Sequence, residues 1–293
     1  MKENSNTVVL RYDSSHEHNA GSKEHFFHFF WGYLLPGMRE MLRLNEETQC
    51  NNSFVMETCG PVMDPILLEA SQILALDLKI LNTVGLCIEK EILVPRWDRI
   101  LKLCTAWYYD LYGTGNLFPE DIAFPEEILP PGNTFSDDIQ IVRHSFLSRM
   151  SSHPGNDMFF IILRTEEPEY YRDGGGAMRP TYGSSRRALT HVYETIAELS
   201  ARGYQVEAYE PGKHKLSDQI ITFNRANGIA AIRGAEFAHL IWMRPESNVI
   251  MLEPCVMPGY AIQPLMAKIF NLKYTGILSN EETPFPAILP EMI

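Results

Sequence analysis

What this chain lacks narrows its chemistry before any motif is weighed. Its five cysteines, Cys50, Cys59, Cys87, Cys104 and Cys255, form no Cys-x-x-Cys pair, and the odd number fits reduced thiols rather than a disulfide framework. A reducing compartment is the expectation. Positive charge is scarce: 25 Lys and Arg against 37 Asp and Glu give a net charge of -12, which excludes nucleic acid or an anionic membrane as the main partner, since either needs a basic face. No run of eighteen uncharged apolar residues occurs, and the opening MKENSNTVVLRYDSSHEHNAG holds no apolar signal core. Neither membrane insertion nor secretion is expected, and the expected location is the cytoplasm. Also missing are Asp-x-Asp, G-x-G-x-x-G and the phosphate loop with its lysine, so Gly113-Thr-Gly115 and Gly174 to Gly176 read as turns or a loop.

What is present is a chain of 293 residues, 45% apolar, long enough for two domains of about 130–150 residues each. Apolar runs predict strands at 7–12, 54–56, 92–94, 158–163, 205–209, 229–232, 248–252 and 274–278. Helical spacing predicts helices at 65–76, 97–112, 137–150, 185–202, 217–227 and 263–271, and one over 26–44 interrupted at Pro36-Gly37. Residues 118–133 are proline-rich and read as a connector, and the break at Ser152-His-Pro-Gly155 divides domains 1–152 and 153–293. Strands alternating with helices imply parallel sheets with right-handed crossovers, hence an α/β protein of two Rossmann-like halves.

The most informative stretch is GIAAIRGAEFAHLIWMRPESNVIMLEP, residues 228–254. It reads as strand, tight turn, helix, strand and terminal acid. The strand stops at Arg233-Gly234, and a helix starting at Ala235 would turn its unpaired N–H groups outward, a geometry that suits a phosphate. Glu253 then falls at the carboxyl end of the next strand, where ligands bind in open α/β sheets, and can accept hydrogen bonds from a ribose diol. The layout suits a nucleotide diphosphate.

These residues resemble glycosyltransferase family 61. Glu24 to Pro36, EHFFHFFWGYLLP, is similar to that family's early aromatic helix, with His28 at its histidine position. Residues 159–164 followed by Ser184-Ser-Arg-Arg187 are similar to its strand and basic pair, Ser217-Asp-Gln219 to a later helix start, and Gly234 to Pro254 to its H-G-A-G-L-T-N segment and the Glu before a Pro. The chain departs from the pattern at Arg233, Glu236 and Ala238-His239. The acid commonly found soon after the early histidine falls here on Gly32 or Tyr33. The resemblance implies a GT-B-like fold, two Rossmann-like domains facing a cleft, and inverting transfer of a sugar from a UDP-sugar to a hydroxyl of a glycan or glycoprotein acceptor. On the strength of the family xylose is favoured over N-acetylglucosamine. The missing membrane anchor suggests cytoplasmic glycosylation, as in a large algal virus acting in host cytoplasm, for a capsid or surface glycan.

Inverting transfer needs a base for the acceptor hydroxyl and positive charge for the departing diphosphate. His28 is the leading base, since histidine titrates near neutral pH, with Asp64 and Glu57 as carboxylate rivals. Arg164, Arg186, Arg187 and Arg233, with the Gly234, Ala235 and Glu236 turn and Glu253, are the donor and phosphate candidates; of Arg186 and Arg187, one is expected to face the cleft. Trp31 and Tyr33 are the acceptor-stacking candidates. Asp137-Asp138 read as a helix cap, and the histidines at 16, 18, 25 and 28 lack a cysteine pair or H-E-x-x-H, so no metal and no cofactor are expected. Two readings stay open beside this one: a transferase using UDP-N-acetylglucosamine, and a nucleotide- or glycan-binding protein that has lost its base. A Rossmann oxidoreductase lacks its glycine fingerprint.

Overall fold

The computed structural model describes residues 7–12, 22–81, 90–112, 134–150, 158–175, 188–189, 191–254 and 262–279. The chain divides into two compact units, one from Met1–Arg99, Thr134–Ser151 and Pro168–Thr181, the other from Ile100–Asn133, Ser152–Glu167 and Tyr182–Ile293. Each unit is thus assembled from three separate chain segments, the first resuming at Thr134 and again at Pro168.

In the first unit β1 (Thr7–Tyr12), β2 (Ser53–Glu57), β3 (Asp77–Leu81) and β4 (Lys90–Val94) form a parallel sheet in the order β3-β2-β1-β4. Val8, Val9 and Leu10 in β1 and Phe54, Val55 and Met56 in β2 are buried, as central parallel strands covered on both faces require. The edges carry charge instead: Asp77 and Lys79 in β3, Lys90 and Glu91 in β4, all exposed. β3 is not anticipated from sequence, because its alternating DLKIL buries only Leu78.

Between β1 and β2 runs one long helix in three parts, α1 (Phe26–Phe29), a π-helical turn at Phe30–Leu34, and α2 (Leu35–Thr48). The Leu35 N–H bonds the Phe30 carbonyl, five residues back. Pro36 explains the widened turn: it has no N–H for the Gly32 carbonyl, and its ring would crowd that oxygen. The interruption expected at Pro36-Gly37 is therefore a wide turn within a continuing helix. α3 (Asp64–Ile73) joins β2 to β3, α4 (Trp97–Tyr112) leaves β4, and α5 (Phe135–Leu147) lies against α2, where Arg39 Nε donates to Asp138 Oδ1 over 2.6 Å. Asp138 also accepts from Thr134 Oγ1 over 2.6 Å. The short α6 (Glu169–Arg172) is pinned by Tyr171, whose buried hydroxyl donates to the Glu24 carbonyl over 3.1 Å.

In the second unit β5 (Phe159–Ile162), β6 (Val206–Tyr209), β7 (Gly228–Ile232), β8 (Asn248–Pro254) and β9 (Lys273–Ser279) form a parallel sheet ordered β6-β5-β7-β8-β9. Its crossovers include α7 (Val192–Ala201), α8 (Leu216–Arg225) and α9 (Gln263–Ile269). Phe159 and Ile161 of β5, Leu199 of α7, Ala230 of β7 and Ile250 and Leu252 of β8 pack into one core, each large side chain contributing roughly 1.5–3 kcal/mol. α7 starts later than the expected 185: residues 185–187 lie outside the described set, and His191 at its N-cap adopts φ 56, a left-handed conformation that ends the helix upstream.

Both sheets are parallel and helix-crossed, as the alternation predicts, and both contain a point where chain order reverses. In the first it falls between β1 and β4, in the second between β5 and β7. At such a point the flanking connections leave on opposite faces, and a crevice opens at the carboxyl ends of the strands.

Candidate functional site

At the reversal point of the first sheet, β1 leads toward the helix that carries His28, and β4 ends two residues before Arg96 and four before Asp98. His28 Nδ1 lies 2.8 Å from Asp98 Oδ2. Arg96 grips the same carboxylate with two bonds of 2.9 Å, Nε to Oδ1 and Nη2 to Oδ2, and donates through Nη1 to the Tyr33 hydroxyl over 2.6 Å. Its guanidinium carbon also sits 4.2 Å from the centre of the Tyr33 ring. Gly32 makes room for this cluster. A Cβ there would stand 2.6 Å from both Arg96 Nε and Asp98 Oδ1, closer than side chains approach.

Asp98 and Arg96 are 2% and 3% exposed, whereas His28 is 23% exposed. Burial alone would raise the Asp98 carboxyl; hydrogen bonds from His28 and Arg96 and the Arg96 charge outweigh it and bring it down to about 2. Nδ1 thus faces a carboxylate oxygen, and Nε2 is the ring nitrogen that takes no part in this contact. The group can therefore take a proton from a bound hydroxyl and hold the resulting charge beside Asp98.

At the reversal point of the second sheet, Arg164 follows β5 by two residues and Glu236 follows β7 by four. Arg164 Nε donates to Glu236 Oε1 over 2.9 Å, with side chains 9% and 15% exposed. The pair is half satisfied: Arg164 Nη1 and Glu236 Oε2 are buried without a hydrogen-bond partner among the described residues. Gly234 is extended, φ -176, so its role is close approach; a Cβ would run into the Glu236 carboxylate. That carboxylate lies beside the turn that the sequence assigns to a phosphate. Ala235 opens a 3-10 helix, Ala235–Trp242, where an α-helix is expected, and Phe237 to Trp242 within it are buried.

Beside Arg164, the turn after β6 is fixed by Gln219, whose Nε2 donates to the Pro211 and His214 carbonyls over 2.9 and 2.8 Å. The His214 ring stacks on Tyr209 at 4.8 Å, and Thr165 packs against Gly212. Apart from Gln219, none of these neighbours is marked by sequence.

The other candidates separate. Glu57 ends β2, largely exposed, with Lys23 Nζ 3.7 Å away. Asp64 closes its own turn, accepting from Thr58 Oγ1 over 2.6 Å and from the Cys59 N–H over 2.7 Å. Trp31 and Tyr33, expected at an acceptor, are 0% and 5% exposed, and Tyr33 serves Arg96. Arg233 follows β7 directly, its N–H on the Leu252 carbonyl at 2.9 Å. Glu253 lies in register with Leu278 at the carboxyl end of β8, with its side chain outside the described residues. Arg186, Arg187, His16 and His18 also lie outside them.

The His25 and His28 rings are 5.4 Å apart, and among the described residues no three His, Cys, Asp or Glu side chains converge as a metal site. Nor, among those residues, is any helix long and apolar enough to cross a membrane. Sequence reasoning missed Arg96 and Asp98. The available signals were a Pro-Arg-Trp-Asp run at the end of a strand and a glycine inside an aromatic helix, which marks close approach.

A family model, Glycosyltransferase 61, matches residues 26–250. No curated protein matches the chain. The matched span takes in His28, Asp98, Arg164 and Glu236.

Proposed function

The chain belongs to glycosyltransferase family 61, and we propose that it moves a sugar, xylose by preference, from a UDP-sugar to a glycan hydroxyl, with inversion and without a metal. In this reading His28 Nε2 takes the proton of the acceptor hydroxyl as its oxygen attacks the anomeric carbon. The bond from that carbon to the diphosphate breaks, and UDP leaves with the electron pair. Arg164 meets the charge that develops on the diphosphate, and the Gly234 turn holds its oxygens.

The observation that carries the reading is the 2.8 Å contact between His28 and a buried Asp98, itself gripped twice by Arg96, at the reversal point of a parallel sheet. A histidine that merely fills a core needs no such partner. Further support comes from Arg164, a buried guanidinium with one nitrogen unpartnered among the described residues, at the reversal point of the other sheet. In the bound state the diphosphate would replace Glu236 on Arg164.

The test is thermal melting with UDP, UDP-xylose and UDP-N-acetylglucosamine, each with and without EDTA. Stabilisation by UDP-xylose above the other sugar, unchanged by chelation, is the expected result. Stabilisation by UDP-N-acetylglucosamine alone would reassign the donor, and stabilisation abolished by EDTA would overturn the metal-free mechanism.

A further inference from the structure

We infer that Asp98, clamped by Arg96 in the space that Gly32 leaves open, is a positioning residue that holds His28 in a single tautomer, Nδ1–H, and so keeps Nε2 free to accept a proton. The inference rests on the reading of His28 as the base, and it adds Arg96 and Asp98, which neither the helix nor sequence spacing joins to that histidine, together with Gly32 one turn along the helix.

Three observations converge on it. Asp98 is buried, yet both carboxylate oxygens are engaged: Oδ1 by Arg96 Nε, and Oδ2 by Arg96 Nη2 and His28 Nδ1. Such a carboxylate has a fixed orientation and cannot swing away from the imidazole. Arg96 is fixed in turn, by the Tyr33 hydroxyl at 2.6 Å and by the ring face at 4.2 Å. Lastly, the residue one helical turn beyond His28 is glycine, and any side chain there would meet Asp98 and Arg96 at 2.6 Å.

The same arrangement decides where the proton rests. The Arg96 charge stabilises the anionic form of Asp98, so the carboxylate receives a hydrogen bond without taking the proton. When Nε2 takes the acceptor's proton, the Nδ1–H still points at the carboxylate, so the ring keeps its orientation through the transfer step. Among the described residues, Asp98 contacts His28 directly and the His25 ring lies 5.4 Å away, while Arg96, itself held by Tyr33, bears on His28 through Asp98.

The full-length protein labelled with 15N histidine tests this without knowledge of the acceptor. Among nine histidines, His28 is assigned as the signal lost in His28→Gln. Above neutral pH its spectrum should show a protonated Nδ1 and an unprotonated Nε2, and Asp98→Asn should turn this into a mixture or the opposite tautomer. Gly32→Ala should do the same by displacing the carboxylate. A wild-type His28 that carries its proton on Nε2, or exchanges freely between both forms, overturns the inference even if neither variant folds.

Turnover separates this inference from the reading it rests on. Asp98→Asn should lower kcat about 100-fold or more and shift the acidic limb of the pH profile, with little change in KM. Loss of turnover in His28→Ala with full rate and an unchanged profile in Asp98→Asn would sink the positioning role alone. Full turnover in His28→Ala would remove the base and leave the tautomer a structural fact.

Discussion

Arg164 and Glu236 lie 72 residues apart in sequence and meet over 2.9 Å, each with a second buried polar atom left unpartnered among the described residues. An ion pair at the carboxyl edge of a parallel sheet, satisfied on one side only, is a poor device for stability and a ready one for exchange. An incoming anion can take the guanidinium from the carboxylate.

Glu236→Gln should therefore bind UDP more tightly than the wild type, by roughly tenfold, as expected when a charge-assisted contact of about 1.5–3 kcal/mol no longer competes. Without ligand the variant should melt lower, because it leaves Arg164 buried and uncompensated. Calorimetric titration with UDP alongside melting curves checks both; equal or weaker UDP binding by the variant would show that Glu236 does not compete for Arg164.

Asp98 predicts the acid limb of stability. Its folded-state value, near 2, lies below the ordinary carboxylate range, so the unfolded chain takes up its proton first as pH falls. The contribution is complete above about pH 4 and fades as pH drops through about 2, amounting to about 2 kcal/mol for this nearly fully buried group. Urea unfolding between pH 5 and pH 2.5 should show the loss in the wild type, and a smaller slope in Asp98→Asn. Parallel slopes in the two proteins would contradict it.

The thiols should differ sharply. Burial, assisted by the Asp64 charge, pushes the Cys59 thiol up to about 12, while Cys50 is exposed. Brief iodoacetamide treatment of the native protein at pH 8 should alkylate Cys50 and leave Cys59 untouched, as read by peptide mass mapping. Equal labelling would mean that the Thr58–Asp64 turn opens readily.

Much of the fold is written in local sequence because the central strands are apolar on both faces. VVL in β1, FFII in β5, IAAI in β7 and VIML in β8 announce themselves. β3 does not, since an edge strand with one buried residue carries almost no pattern. His28 and Arg164 were also legible, one as a polar residue in an aromatic helix, the other as a cation at a strand end. Their partners were not. Asp98 reaches His28 only because β4 pairs with β1, and Glu236 reaches Arg164 only because β7 pairs with β5. Those pairings are decided by the whole sheet. Gly32 illustrates the limit: in the sequence it is the place where an acid is missing, and in the structure it is the space another acid fills.

The most direct test of the account is the rate of UDP release from the sugar nucleotide that stabilises the protein, compared between wild type and His28→Ala at neutral pH. With His28 as the base, release should fall at least about 100-fold in the variant while UDP affinity is unaltered. Undiminished release by the variant would contradict it.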